Sequence, residues 1–348
     1  MDHPRKLREA GAMSQNSTST YTHSPRITKP TITSLDLSKS LDGLLRSFVA
    51  DCELRGMTNE TVRSYRSNVR TFLASLHERK IRPGYVGLDD LRIFLSWLKE
   101  KKLSSPTIGN YFAAISTFYE YLSIEDKVNH NPVLGFRKRY LRGTHREKRK
   151  RSEAKRRLLT VEEMSRLIKS TLNIRSKAII TLLAKTGVRR NELIQINIED
   201  IDFNQQSIRL RPQAKRSSLV VFFDHETSRI LQKWVKVRET ITAQGELALF
   251  VGDKGYRIGR NTVYKIVTQA AQKVGLHDPD SQNPLDHFSP HCCRHWFTTH
   301  LLRNGMPREY VKELRGDARS TDAIDIYYHI DREQLRKTYL GCIPELDL

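Results

Sequence analysis

The sequence predicts a mainly α-helical protein of two folded units, with one small antiparallel β-sheet in the second. Three observations carry this. Apolar residues recur at helical spacing through most of the chain from about 36 to 132. A segment from Arg137 to Arg157, dense in Arg and Lys and poor in apolar residues, follows that region. Only beyond it do three short strand signals succeed one another, inside a region otherwise patterned as helices. At 348 residues the chain is long enough for two cores.

Residues 1–35 are rich in Ser and Thr and lack an apolar period, so a disordered tail is expected there, and Met13 is an alternative start. Four amphipathic stripes follow. The first holds Leu41, Leu44, Leu45, Phe48, Val49 and Cys52; the second holds Val62, Tyr65, Val69, Phe72, Leu73 and Leu76, with Thr58 placed to cap it. Leu88, Leu91, Phe94, Leu95 and Leu98 make the third. Tyr111, Phe112, Ile115, Phe118, Tyr119 and Leu122 make the fourth, and Asn131-Pro132 is expected to end the run. Packed together, the four give a helical domain over 36–135.

A basic, exposed linker is expected at 136–157, either crossing a DNA backbone or simply solvated. The second domain is expected over 158–348. Thr160 and Glu163 form a capping box. A helix from about Ile174 should stop at Thr186-Gly187, where glycine takes the left-handed cap. Strands are expected at Ile201–Phe203, Ser207–Arg211 and Leu219–Phe223, and helices from His225 onward, apart from the apolar run Leu247–Val251.

The charge narrows the partners. Sixty Lys and Arg face 39 Asp and Glu, a net charge of +21. Such a surplus repels itself unless an anion answers it, and nucleic acid is the natural one. No apolar run reaches the ~20 residues of a membrane span, and the N-terminus lacks a signal-peptide core, so a cytoplasmic protein on DNA is expected. Cys52, Cys292, Cys293 and Cys342 contain no CxxC pair; Cys52 continues an apolar stripe, and no structural zinc is expected.

Breaking a phosphodiester without a metal needs a nucleophile, cations for the non-bridging oxygens and an acid for the leaving oxygen. The second domain offers candidates for each. In Thr186-Gly-Val-Arg-Arg-Asn-Glu-Leu193, Arg189 follows a tight turn near a helix start, and Glu192 stands at i+3 to brace it. In Ser289-Pro-His-Cys-Cys-Arg-His-Trp296, Pro290 suits a first helical turn, and His291 and Arg294 then share a face. His291 and His295 have the spacing of helical zinc ligands, but the glutamate of HExxH is missing. Ile326-Tyr-Tyr-His-Ile330 supplies two phenols, which by themselves read as packing residues.

Together these segments resemble the tyrosine recombinase, or phage integrase, family, including its Xer-type members, across roughly residues 36–340. TGVRRNEL is similar to the TGxRxxEL box, SPHCCRHWFTTHLLRNG to SPHxLRHxFATHLLxNG, and ELRGDARSTDAIDIYYHI to ELLGHxxxxTTxxYxH. Each box is only moderately specific alone; their order and spacing make the resemblance strong. It implies a SAM-like helical core-binding domain and a mixed α/β catalytic domain, forming a two-domain clamp on double-stranded DNA. It also implies self-association to a tetramer on two duplexes, accessory proteins in some systems, and no cofactor.

Residue by residue, the resemblance implies that Arg189 and Arg294 clamp the scissile phosphate. His291 would assist proton transfer, and Tyr327, two residues before His329, would be the nucleophile, with Tyr328 the competing assignment. The family's hairpin lysine corresponds to Lys215, which would protonate the leaving 5′-oxygen. One position departs. Where the family has His or Trp after Leu-Gly, this chain has Asp317, with one extra residue before Tyr327. An ionised carboxylate beside a phosphate is repelled, so Asp317 is expected to anchor a loop or orient an arginine instead. The C-terminal segment Arg332–Leu348, apolar at Leu335, Tyr339, Leu340, Ile343 and Leu346, fits docking either on a neighbouring protomer or on its own. A type IB topoisomerase-like enzyme and a catalytically inactive DNA-binding regulator are the competing functions.

Overall fold

Five helices build the first unit because five apolar stripes need one another's cover. The computed structural model describes residues 34–141, 158–212, 218–317 and 330–348, and the chain divides into two compact units at Arg142/Gly143. In the first unit lie α1 (Ser34–Leu54), α2 (Asn59–Glu78), α3 (Leu88–Glu100), α4 (Ser105–Ile124) and α5 (Val133–Tyr140). Thr58 caps α2 as expected, its hydroxyl accepting from Thr61 N at 3.3 Å. Helices α1 and α4 both pack on α2. Phe48, Phe72, Phe94, Phe112 and Phe118 fill the core, and Cys52 is buried with them.

Two boundaries differ from the sequence expectation. Asn131-Pro132 does not end the helical run. Asn131 Oδ1 accepts from Val133 N at 3.0 Å and its amide donates to Ser116 O at 2.8 Å, so the pair opens α5. Residues 136–140, expected in the linker, are helical instead. Phe136 is buried, with its ring stacked 5.2 Å from Phe112, and Arg137–Tyr140 continue the helix. The rest of the expected linker, 142–157, and the expected tail up to residue 33 lie outside the described residues, while α1 already begins at Ser34.

The second unit is arranged around one buried helix. It opens with α6 (Val161–Lys169), closed at its start by the Thr160–Glu163 capping box in both directions (3.0 and 3.1 Å). Helix α7 (Ile174–Thr186) follows, and every residue from Ala178 to Thr186 is buried. It ends at Gly187 in the left-handed conformation (φ +62°). A Cβ there would lie 2.3 Å from Phe297 Cδ1, so glycine is required by packing as well as by backbone.

After α8 (Arg190–Gln195), strands β1 (Ile201–Asp202), β2 (Ser207–Arg209) and β3 (Val220–Phe222) form the antiparallel sheet in the order β1-β2-β3, with Ile208 facing Ile201 and Val221. The strands are shorter than expected but centred where predicted. The run Leu247–Val251 makes only isolated bridges, Ala248 to Asn197 and Val251 to Arg257. Helices α9 (His225–Ile241), α10 (Arg260–Lys273), α11 (Pro290–Arg303), α12 (Arg308–Arg315) and α13 (Arg332–Cys342) complete the unit; α9 and α11 both pack on α7.

The C-terminal segment packs on its own unit. Leu335, Tyr339, Ile343 and Leu346 are buried in its core. Lys185, fully buried, forms ion pairs with Asp224 and Glu226 and donates to Pro344 O. Glu226 in turn accepts from the Leu346 and Leu348 amides. Among the described residues no helix is long and apolar enough to cross a membrane.

Candidate active site

The turn at Gly187 places Arg189 three residues beyond the end of α7, as the extended residue before α8. Glu192 holds it twice: Oε2 accepts from Arg189 N at 2.7 Å and Oε1 from Nη1 at 2.9 Å. Glu192 is almost wholly buried (1% exposed side chain), so both of its bonds to Arg189 are shielded from water.

Arg294 comes from α11, which begins at Pro290 in the position that suits proline. Its Nη1 donates to Gly187 O at 2.6 Å and its Nη2 to Arg315 O at 2.8 Å. The side chain is 5% exposed. Burial first, then the charges of Arg189 and Arg315, push its pKa down to about 10, which leaves it cationic at neutral pH.

The two arginines meet at Asp317. Oδ1 of that carboxylate lies 3.2 Å from Arg189 Nη2 and 3.1 Å from Arg294 Nη2. Its other oxygen lies 2.9 Å from Arg315 Nε. Gly316, left-handed at φ 58°, ends α12 and turns Asp317 toward the pair, and Asp317 N bonds back to Lys312 O. Asp317 thus stands within ion-pair distance of Arg189, Arg294 and Arg315 at once.

His291 sits one turn before Arg294 on α11. Together with Arg189, Arg294, Val188, Arg190 and Tyr264 it lines a cavity of about 270 Å³. Its ring stands edge-on to His295, 4.7 Å between centroids. Among the described residues no three His, Cys, Asp or Glu side chains gather as metal ligands would. Tyr327, Tyr328 and Lys215 lie outside the described residues.

Three residues of this neighbourhood escaped the sequence reading: Arg315, Arg190 and Tyr264. For Arg315 there was a signal, since a cation directly before Gly316-Asp317 can reach the carboxylate two positions on. Tyr264 gave none, because its neighbours in space are distant in sequence.

Comparison with known proteins identifies the family. The description "Phage integrase family" matches residues 157–334, and "Phage integrase, N-terminal SAM-like domain" matches 44–127. The chain belongs to the phage integrase family, the tyrosine-type site-specific recombinases, and within it is Xer-like.

Tyrosine recombinase XerC of Herpetosiphon aurantiacus is 29% identical over 293 residues, covering 81% of this chain and 89% of that protein. Tyrosine recombinase XerD of Oceanobacillus iheyensis is 26% identical over 299 residues, covering 83% and 94%. Among solved structures, the Tn1549 transposon integrase in complex with a circular intermediate DNA aligns with a TM-score of 0.60 at 17% identity, covering 84% of this chain and 97% of that one. The XerH site-specific recombinase bound to palindromic difH substrate aligns with 0.58 at 20% identity, covering 88% and 83%. At these identities the structural likeness speaks for the fold.

Proposed function

We propose that this protein is a site-specific recombinase of double-stranded DNA that cuts and rejoins strands through a covalent phosphotyrosyl intermediate. The observation that carries this reading is the convergence of Arg189 and Arg294, from separate elements, on one anionic oxygen at 3.2 and 3.1 Å, beside a cavity that His291 lines. Two guanidinium groups so placed can hold the non-bridging oxygens of one phosphate and stabilise the charge that grows on them.

In the proposed step, Tyr327 Oη attacks phosphorus while His291 assists removal of its proton. The bond to the 5′-oxygen breaks, and Lys215 protonates that oxygen. The products are a 3′-phosphotyrosyl link and a free 5′-hydroxyl. The link conserves the phosphodiester's energy, so rejoining needs no ATP, and the arginines supply the charge a metal would otherwise bring. A 5′-hydroxyl from a second duplex reverses the step and gives a Holliday junction, which a second round resolves. Four protomers on two duplexes would carry this out. The +21 net charge suits the DNA partner, and structural neighbours solved in complex with DNA, the Tn1549 integrase and XerH, support it.

The test is a nicked suicide duplex incubated with the full chain. Wild type should become covalently attached to the 3′ end. Tyr327→Phe should bind the duplex but form no adduct, while Tyr328→Phe should still form it. An adduct that survives in Tyr327→Phe overturns the nucleophile assignment.

A further inference from the structure

Three guanidinium groups, from Arg189, Arg294 and Arg315, meet two carboxylates, Glu192 and Asp317, among the described residues. The two carboxylates are held differently. Glu192 is sealed, 1% exposed, and bonded to Arg189 through both its backbone and its side chain. Asp317 is 34% exposed and sits on the turn that follows α12, so its side chain can rotate into solvent without opening the core. Its Oδ1 lies almost equally far from the two arginines, within hydrogen-bond reach of both, in a place where a phosphate oxygen could accept from both guanidinium groups. Arg294 itself is buried, and a buried cation stripped of its counter-anion is costly.

We propose that Asp317 is an internal stand-in for the phosphate. In the free protein its carboxylate fills the seat between Arg189 and Arg294 and keeps both aimed at one point, and an incoming phosphate must displace it. A carboxylate and a phosphate cannot share that seat, since two anions at contact distance repel strongly in a partly buried site. Asp317 is therefore a positioning residue that also competes with the substrate. It sets a threshold on phosphate capture that the sealed Glu192 cannot set. The inference rests on the reading that the arginine pair receives phosphate, but its test requires neither Tyr327 nor a known target site.

The experiment is calorimetric titration of the full-length protein with inorganic phosphate at fixed ionic strength, in wild type, Asp317→Asn, and Asp317→Asn combined with Arg294→Ala. Asp317→Asn should bind phosphate about tenfold more tightly, the scale of one charge-assisted hydrogen bond released from competition, and the added Arg294→Ala should abolish the gain. Equal or weaker binding in Asp317→Asn overturns the proposal and leaves Asp317 a pure brace. A gain that survives Arg294→Ala overturns it as well, because the phosphate then sits elsewhere.

Should the asparagine variant fail to fold, a crystal structure of the wild-type chain with phosphate decides the matter. The proposal requires the carboxylate to have left Arg294 with phosphate in its place. Phosphate binding alongside an unmoved carboxylate refutes it. Failure of the recombinase reading shows separately, as absence of the phosphotyrosyl adduct in wild type.

Discussion

Two charge clusters are anchored on the same five residues, Lys185 to Arg189, and they are built to opposite ends. At Lys185 the ammonium is fully buried, and Asp224, Glu226 and the Pro344 carbonyl take its three donors. At Arg189 the charges are left cationic in sum, and the group opens on a cavity. The first cluster ties the C-terminal segment to the core and has no capacity for a further ligand. The second holds its own anion on an exposed turn. Burial of charge is common to both; what separates them is whether the compensating anion can leave.

The largest effect that would test this contrast is on stability. Lys185→Met leaves Asp224 and Glu226 buried without their cation and should cost about 3–5 kcal/mol, read by chemical denaturation of the full chain. Replacing all three groups together with apolar side chains of similar size should recover only part of that loss, because the Leu346 and Leu348 amides then lose their acceptor. At the open cluster the main loss should be in rate instead. Arg294→Ala should slow phosphotyrosyl adduct formation by ~10²–10³ in single-turnover cleavage, and Arg294→Lys should not restore it, because an ammonium cannot span Gly187 O and the central anion in one plane.

Gly187→Ala strikes the hinge between the clusters. The left-handed backbone alone should cost roughly 1–2 kcal/mol, and the methyl must also push Phe297 aside. Since Gly187 O is the acceptor that seats Arg294, adduct formation should fall together with the unfolding midpoint. The smallest effect concerns pH. Burial alone would raise the Glu226 carboxyl, but the bonds from Lys185 and from the tail amides outweigh it and hold the group below the ordinary glutamate range. Its folded value is depressed, so the stability it contributes is fully present above the unfolded value of about 4.3 and is lost as pH falls through the lower folded value. The gap in unfolding midpoint between wild type and Glu226→Gln should thus be present at neutral pH and shrink below about pH 4.

Much of the fold was legible because its signals are local. Thr58 and Thr160 cap the helices they precede, Gly187 terminates α7, and the Arg189–Glu192 pair is written in an i,i+3 spacing. The extent of the first unit was less legible. Arg137, Lys138 and Arg139 hid the fact that Val133 and Phe136 give α5 an apolar face, which only the ring of Phe112 makes useful. The Lys185 clasp was not legible at all: a lysine in an apolar helix gives no hint that its partners lie 39, 41 and 159 residues away.

By itself the sequence determined the helical periods, the caps, the cationic surplus and the three boxes that mark the family, because each depends on residues within a few positions of one another or on composition. Tertiary structure alone decided that the C-terminal segment folds back on its own unit, and that Arg189 and Arg294 are drawn to one carboxylate 128 and 23 residues away. Periodicity shows which face of an element seeks cover. Which distant charge answers a buried cation depends on how the elements pack, and there the cost of leaving that cation alone selects the partner.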